Sequence, residues 1–334
     1  MSESIIPQPY LLFLGDAPDA LAAKVALGIK QWRPHLCVGQ LSLPGCQADC
    51  GLPEMSLAEA WAAGARTLVI GVANRGGIIA PGWIALLKEA LELGMDLAAG
   101  LHNRLSDVPE LKETADRLGR ALFDVRHPTR TFAVANGRKR AGKRLLPVGT
   151  DCSCGKMYTA LALEKAMQER GMKATFRATG QTGILISGAG VSVDCVVSDF
   201  VSGAVEWLSP ENDADHWDLI EGQGSLFHPS FAGVTTGLIH GAQPDALVLC
   251  HEPTRSHMRG LPEYAVPDLE TCMAANLLTA RLTNPAACFV GISVNTAKLA
   301  EAEALALLAE IEAKFGLPTV DPVRQGVDRI IDAL

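Results

Sequence analysis

The sequence Gly149-Thr150-Asp151-Cys152-Ser153-Cys154-Gly155-Lys156 decides the fold class of the second half of this chain. It follows a short apolar run, Leu145–Val148, and precedes a helix-forming run from Thr159 to Arg170. A glycine-bounded loop between a strand and a helix directs backbone N–H groups and the helix N-terminus toward one point, where a phosphate can bind. The sequence therefore predicts a phosphate-binding loop, or P-loop, on a parallel sheet.

This loop departs from the common P-loop pattern at two points. Five residues separate its glycines instead of four, and Met157 stands where a Ser or Thr would hold Mg²⁺. We therefore expect a site that binds phosphates but is poorly equipped for a magnesium-bound triphosphate. The residues predicted to bind the cofactor are Gly149, Thr150, Asp151, Cys152, Ser153, Cys154, Gly155, Lys156, Met157 and Tyr158.

The distribution of apolar residues predicts an α/β protein. Short apolar runs alternate with longer amphipathic runs along the whole chain, which is typical of parallel sheets covered by helices. The segment Arg126–Lys143 is rich in proline, glycine and basic residues, and we expect it to join two consecutive domains. The predicted domains are residues 1–135 and 136–334.

Composition and charge disfavour several classes of protein. Apolar residues make up 48% of the chain and charged residues 20%, which is typical of a compact globular protein. The net charge of −8 disfavours general binding to nucleic acid or to anionic membranes. No apolar run approaches membrane-spanning length, and the N-terminus lacks a signal-peptide pattern. We predict a cytoplasmic protein that acts on a small molecule and forms a homo-oligomer.

Two local features are ambiguous at this stage. The basic run from Arg138 to Arg144 is either a solvated linker or a source of positive field beside the P-loop. Among nine cysteines, Cys195, Cys250 and Cys288 lie in apolar runs, so we expect buried, reduced thiols. Cysteine and histidine spacing gives no diagnostic ligand set, and no metal site is predicted.

Two carboxylates are candidates for catalysis. Glu221 ends an apolar strand and is followed by Gly222-Gln223-Gly224; in open α/β sheets, ligands bind at the carboxyl ends of strands. Its alternative role is to order the loop by pairing with a lysine. Asp199 follows the apolar stretch Val193–Val197 and precedes a helix, where it would act as a base or cap the helix.

Substrate-binding candidates also follow predicted strands. Asn74 and Arg75 precede paired glycines that would let the backbone approach a ligand closely. Arg75 or Arg255 would supply a bidentate fork for a carboxylate. A plain turn at residues 74–77 is the competing interpretation.

The loop and the Glu221 segment together resemble the corresponding pair in dethiobiotin synthetase and related P-loop enzymes. In those enzymes the loop reads Gly-Thr-Asp, three variable residues, then Gly-Lys-Thr. Met157 replaces that final Thr, and Thr159 would have to supply the missing hydroxyl if the helix began differently. The resemblance implies an ATP-dependent ligase or carboxylase as one function, with Mg-ATP as cofactor.

Over nearly its full length the chain is more similar to another family, long catalogued as a domain of unknown function. Its characterised branch is the D-glutamate N-acetyltransferases. The motifs that carry this resemblance are Gly149–Lys156, Ser198–Ala204 and Glu221–Pro229. The resemblance implies a Rossmann-like parallel sheet followed by a P-loop NTPase-like parallel sheet.

That resemblance also implies an activity, namely transfer of acetyl from acetyl-CoA to the amine of an acidic amino acid, with D-glutamate as the expected substrate. The loop would then cradle the phosphates of CoA, and no metal-dependent step would require the missing hydroxyl. Lys156 would hold phosphate or the thioester oxygen, and Asp199 or Glu221 would accept the amine proton. Asn74, Arg75 and Arg255 would bind the substrate. A binding protein that has lost turnover is the non-enzymatic alternative.

Overall fold

The computed structural model describes residues 5–74 and 76–334, which form two compact units. The first unit comprises residues 5–130 together with Gly180–Cys195, and the second comprises Thr131–Thr179 and Val196–Leu334. The chain therefore passes between the units three times. The division at residues 135/136 stays a prediction, and it did not anticipate that residues 180–195 belong with the first unit.

The first unit contains a five-stranded parallel sheet within the described residues, in the order β2-β1-β3-β4-β5. Its strands are β1 (Tyr10–Gly15), β2 (Cys37–Ser42), β3 (Thr67–Ile70), β4 (Asp96–Ala99) and β5 (Leu122–Asp124). Its first four helices are α1 (Lys24–Trp32), α2 (Leu57–Ala62), α3 (Ile84–Leu93) and α4 (Pro109–Leu118). β1, β3 and β4 are buried along their whole length, as expected for strands covered on both faces.

The second unit contains a six-stranded parallel sheet in the described part of the chain, in the order β13-β12-β9-β6-β8-β7. Its strands are β6 (Lys143–Gly149), β7 (Ala174–Arg177), β8 (Trp217–Ile220), β9 (Ala246–His251), β12 (Cys288–Val294) and β13 (Thr319–Val320). A separate antiparallel hairpin consists of β10 (His257–Met258) and β11 (Leu261–Ala265).

Helices connect these strands. They are α5 (Lys156–Glu169), α6 (Gln181–Ser187), α7 (Val201–Leu208), α8 (Ala232–Ala242), α9 (Leu269–Arg281), α10 (Glu301–Phe315) and α11 (Asp328–Ile331). Of these, α6 belongs to the first unit. The predicted fold class, two parallel α/β sheets in sequence, is confirmed. Five short elements were not anticipated, namely β5, β10, β11, β13 and α6, because each is too short to show a period.

The basic run is only in part the solvated linker that one interpretation predicted. Arg144 is fully buried and donates to the backbone carbonyls of Arg140, Ala141, Gly142 and Pro210. The Arg140 side chain donates to backbone carbonyls as well. Both arginines lie at the start of β6, whereas the P-loop follows its end, so they do not form a field beside the loop. Only Arg138, Lys139 and Lys143 of the run's basic residues are exposed in the described structure.

The cysteines also depart in part from expectation. All nine lie in the described residues and are free thiols. Cys250 is buried, as predicted, but Cys195 and Cys288 are exposed. Cys288 is the first residue of β12, and Cys195 ends a short 3₁₀ helix, so each lies at an element terminus rather than inside the core. Across residues 5–74 and 76–334, we find no helix with the length and apolar character needed to cross a membrane.

Candidate active site

Three neighbouring strands of the second unit end at the same edge of the sheet. β6 lies between β9 and β8, so the P-loop after β6 is flanked by His251, the last residue of β9, and by Glu221 after β8. β6 pairs with β9 as far as Gly149, but its pairing with β8 stops at Leu145. Pro147, which has no N–H to donate, lies beyond that point. The hydrogen-bonded pairing of the central strand with β8 thus ends before the site begins.

The P-loop has the backbone geometry of an anion site. Ser153 (φ 52°) and Gly155 (φ 113°) both adopt left-handed conformations, and α5 then begins at Lys156. Its first turn contains no acidic residue, so no side-chain carboxylate competes there for the helix N-terminus. A Cβ at Gly149 would lie 2.5 Å from Cys154 Sγ and 3.1 Å from Lys156 Nζ. The glycine at this position therefore keeps space for the lysine.

The side chain of Lys156, the last residue of the P-loop, lies against the backbone of that loop. Its side chain is buried, and Nζ donates to the backbone carbonyl of Asp151 at 2.8 Å. On the other side, a Cβ at Gly222 would lie 2.9 Å from Lys156 Cδ and 1.8 Å from the Pro147 carbonyl oxygen. The glycine after Glu221 thus lets the lysine stem pass between β6 and the loop after β8. Nζ also contacts Cys154 Sγ at 3.7 Å, so among the described residues one of the three ammonium N–H bonds is left for a bound anion.

Asp151 organises the loop internally. Its carboxylate is 1% exposed; Oδ1 accepts from Cys152 N at 2.6 Å, and Oδ2 accepts from the Arg259 backbone N–H at 2.8 Å and from Arg255 at 2.5 Å. Arg255 also pairs with Glu252. Burial alone would lower the pKa of Arg255, but its bonds to Asp151 and Glu252 raise it. Arg255 thus already forms ion pairs with two carboxylates of the protein, and its role in substrate binding stays a prediction.

Glu221 connects the loops that follow β7 and β8. Its side chain is 4% exposed, and Oε2 accepts from the Thr179 backbone N–H at 2.9 Å. The Thr179 hydroxyl donates in return to the Glu221 carbonyl at 2.6 Å. Glu221 therefore lies at the same sheet edge as the P-loop, in a setting that fixes its position. Its carboxylate thus helps to order this loop through Thr179.

Asp199 and Thr159 do not fill the alternative roles weighed for them, and the role of Asp199 as a base stays a prediction. Asp199 is exposed on a short 3₁₀ helix, Ser198–Phe200, and among the described residues no side chain caps α7, so the capping interpretation is wrong. Thr159 was considered as a replacement for the missing loop hydroxyl. Its Oγ1 donates to the Gly155 carbonyl at 3.0 Å and contacts Ser293 Oγ at 2.8 Å, beneath the loop. It is buried and cannot reach a ligand.

The other substrate-binding candidates belong to the first unit. The Asn74 side chain stabilises the loop between residues 74 and 78, because it accepts from Ile78 N at 2.9 Å and donates to Ile78 O at 2.8 Å. Gly76 (φ 84°) and Gly77 (φ 59°) then turn the chain. Arg75 lies outside the described residues. Both residues remain predictions as substrate ligands.

Family comparisons follow the same two-part division. Residues 41–128 match the domain of unknown function DUF1611_N, described as a Rossmann-like domain, and residues 132–331 match DUF1611_C, described as a P-loop domain. The chain belongs to the DUF1611 family. This confirms the resemblance deduced from the loop motifs.

Individual DUF1611 relatives match over almost the whole chain. A protein from Tritonibacter scottomollicae named D-glutamate N-acetyltransferase is 62% identical over 330 residues, covering 99% of both chains. A second of the same name, from a Pseudoalteromonas species, is 52% identical and covers 98% of both. The crystal structure of a DUF1611 family protein from Anabaena variabilis ATCC 29413 superposes with a TM-score of 0.84 at 34% identity, covering 98% of this chain and 99% of that one.

One group of side chains at this DUF1611 site contains residue types that can bind a metal ion. Ligand atoms of Asp151, Cys152 and His228 lie within 4.8 Å of one another. However, His228 Nδ1 accepts from Ser230 N at 3.2 Å and Nε2 faces the Arg259 carbonyl at 3.1 Å. Both ring nitrogens and the Asp151 carboxylate thus already bond to the protein, and we assign no metal to this group. His251 differs, because within residues 5–74 and 76–334 only its Nδ1 has a partner, Thr150 Oγ1 at 3.1 Å.

Proposed function

We propose that this chain transfers the acetyl group of acetyl-CoA to the amino group of D-glutamate. The observation that carries the proposal is the 62% identity, over 330 residues, to a protein named D-glutamate N-acetyltransferase. The P-loop fits that activity physically. It offers backbone N–H groups, a helix N-terminus and a lysine to phosphates, but no hydroxyl for Mg²⁺.

Lys156 and the loop amides would hold the phosphates of CoA. The diphosphate and the 3′-phosphate of CoA carry the charge that a helix N-terminus and an ammonium group attract. Acyl transfer needs no Mg²⁺ on these phosphates, because their bonds are not broken. Met157 at the hydroxyl position is therefore compatible with an acyl donor.

The reaction forms a C–N bond and breaks the C–S bond of the thioester. The substrate ammonium must lose a proton before its nitrogen can attack, and CoA leaves as a thiolate that takes up a proton. Glu221 and Asp199 are the predicted acceptors of the amine proton. Glu221 is the stronger candidate, since it is buried at the edge of the sheet that holds the P-loop, whereas Asp199 is exposed.

An ATP-dependent ligase is not favoured. Its motivation was the Gly-Thr-Asp loop together with Glu221, but the full-length relatives carry the acetyltransferase name. Thr159, the one hydroxyl considered for Mg²⁺, is bonded beneath the loop. The oligomeric state stays a prediction.

Mass-spectrometric detection of N-acetylglutamate tests the proposal. The purified chain is incubated with acetyl-CoA and either D- or L-glutamate, and calorimetry compares CoA with Mg-ATP as ligands. We expect product with D-glutamate and CoA binding without a magnesium requirement. Absence of product with D-glutamate, under conditions in which CoA binds, would contradict the proposed reaction. Binding of Mg-ATP but not of CoA would instead favour the ligase.

A further inference from the structure

The β10–β11 hairpin places Arg259 beside the P-loop. Arg259 lies between β10 and β11, and its backbone N–H donates to the buried carboxylate of Asp151 at 2.8 Å. Its carbonyl oxygen lies 3.1 Å from Nε2 of His228, a second buried side chain. The backbone of the hairpin is therefore held at the loop by contacts that do not involve the Arg259 side chain.

The Arg259 guanidinium contacts the loop at Ser153. Its Nη1 donates to Oγ of Ser153, whose φ of 52° lies in the left-handed region that residues other than glycine rarely adopt. Both residues are exposed. Among the described residues this hydroxyl is the only hydrogen-bond partner of the guanidinium, so four of its five N–H donors are left for a ligand. The hydroxyl accepts this bond and keeps its own proton to donate.

Ion pairing around the loop leaves two cations without a carboxylate partner. Arg255 forms ion pairs with both Asp151 and Glu252, so its charge is balanced within the protein. The side chains of Lys156 and Arg259 contact a backbone carbonyl, a thiol and a hydroxyl instead, and they form no ion pair within residues 5–74 and 76–334. Two positive charges at the P-loop are therefore available to an anion.

These two charges lie at neighbouring positions of the loop. Lys156 Nζ donates to the Asp151 carbonyl, and Arg259 donates to Ser153, two residues further along the chain. Two residues span at most about 7 Å, so both cations are placed to contact adjacent phosphates of one ligand. A diphosphate that is esterified at both ends carries one negative charge on each phosphate. Two side-chain cations balance that charge without a metal ion.

We propose that Arg259 binds the diphosphate of CoA together with Lys156. This role rests on the proposed function. Met157 offers no hydroxyl for Mg²⁺, and Arg259 supplies the second positive charge that the metal ion supplies at a standard P-loop. The planar guanidinium suits two phosphate oxygens at once. Because acyl transfer breaks no bond of the diphosphate, Arg259 contributes to cofactor affinity rather than to the chemical step.

Calorimetry with CoA tests this role in the purified chain. Arg259→Ala should raise the Kd for CoA about tenfold, the low end of the range for hydrogen bonds to charged groups, because solvent screens an exposed site. Arg259→Lys keeps the charge but lacks the fork, so its Kd should lie between those of wild type and Arg259→Ala. The matched control is Arg138→Ala, which removes an exposed arginine that precedes β6, whereas the P-loop follows that strand. This control should bind CoA as wild type does.

Dephospho-CoA, which lacks the 3′-phosphate, identifies the group that Arg259 contacts. If Arg259 binds the diphosphate, Arg259→Ala should lose the same factor of affinity for dephospho-CoA as for CoA. If the loss occurs with CoA but not with dephospho-CoA, Arg259 contacts the 3′-phosphate, and the assignment to the diphosphate is overturned.

Steady-state kinetics separate cofactor binding from the chemical step. Arg259→Ala should raise KM for acetyl-CoA and leave kcat unchanged, because a contact to the diphosphate is equally strong in the ground state and the transition state. A lower kcat at saturating acetyl-CoA would place Arg259 at the reacting groups and overturn the proposal.

Failure of this role is distinguishable from failure of the proposed function. If wild type neither binds CoA nor makes N-acetylglutamate, the proposed function fails, and the role of Arg259 fails with it. If wild type does both and Arg259→Ala binds CoA with the wild-type Kd, only the role of Arg259 is overturned. Thermal unfolding shows whether Arg259→Ala folds, which we expect because its backbone bond to Asp151 is retained. Should it not fold, Arg259→Gln takes its place, and a wild-type Kd in that variant would overturn the role.

Discussion

Gly222→Ala should destabilise the second unit and displace the P-loop lysine. A Cβ at this position would lie 1.8 Å from the Pro147 carbonyl oxygen and 2.9 Å from Lys156 Cδ. The nearest atom belongs to the backbone of the central strand β6, so it cannot move aside as a flexible side chain would. Overpacking in a well-packed region costs about 1–3 kcal/mol. Because a strand must shift, we expect the upper end of that range.

Thermal unfolding measures this effect. For a domain of this size, about 1 kcal/mol corresponds to about 2–4 °C in Tm, so the variant should melt about 6–12 °C below wild type. Affinity for CoA should also fall, since the Lys156 stem is displaced. The matched control is Gly233→Ala at the start of α8, where, apart from the adjacent residues and the backbone of the helix itself, no described heavy atom lies within 4 Å of the new Cβ. Alanine is favoured over glycine there by up to about 1 kcal/mol, so Tm should hold or rise. A Gly222→Ala protein with the same Tm as wild type would refute the steric argument.

Three other perturbations have defined outcomes. Lys156→Ala should weaken CoA binding about tenfold to a hundredfold in calorimetry, because charge-assisted bonds contribute about 1.5–3 kcal/mol; unchanged affinity would show that the loop does not hold phosphate. Asp151→Asn should lower the free energy of unfolding by about 1.5–3 kcal/mol, since one oxygen that accepts from Arg255 or the loop becomes an N–H donor. Denaturant unfolding measures this change, and wild-type stability would show that the Asp151 carboxylate does not stabilise the loop. Burial alone would raise the pKa of Asp321, but hydrogen bonds from Thr296 and the backbone lower it overall, so its stabilising contribution is present above pH about 4 and is lost as pH falls below that value. Wild type should therefore lose Tm on acidification more steeply than Asp321→Asn, and parallel curves would contradict this assignment.

The sequence by itself determined the features that depend on local order. Apolar runs marked β6, β8 and β9, because a strand buried on both faces consists mostly of apolar residues. The glycines and Lys156 marked the P-loop, because its backbone conformation requires specific residues at fixed spacing. Parallel strands end at one edge, which is why Glu221 could be placed beside the loop from sequence. The fold class and the phosphate-binding element therefore followed from residues near one another in the chain.

Only the tertiary structure decided which polar side chains meet. Arg255 pairs with Asp151 across 104 positions, and Thr150 contacts His251 across 101. Arg144 is buried among backbone carbonyls, although its neighbours in sequence indicated a solvated run. Hydrophobic periodicity reports whether a residue is buried, but pairing over such distances depends on strand order, which no local pattern encodes. For this reason the position of the P-loop could be predicted from the sequence. The contacts of Arg255 and His251 with that loop could not, because they depend on β9 lying next to β6.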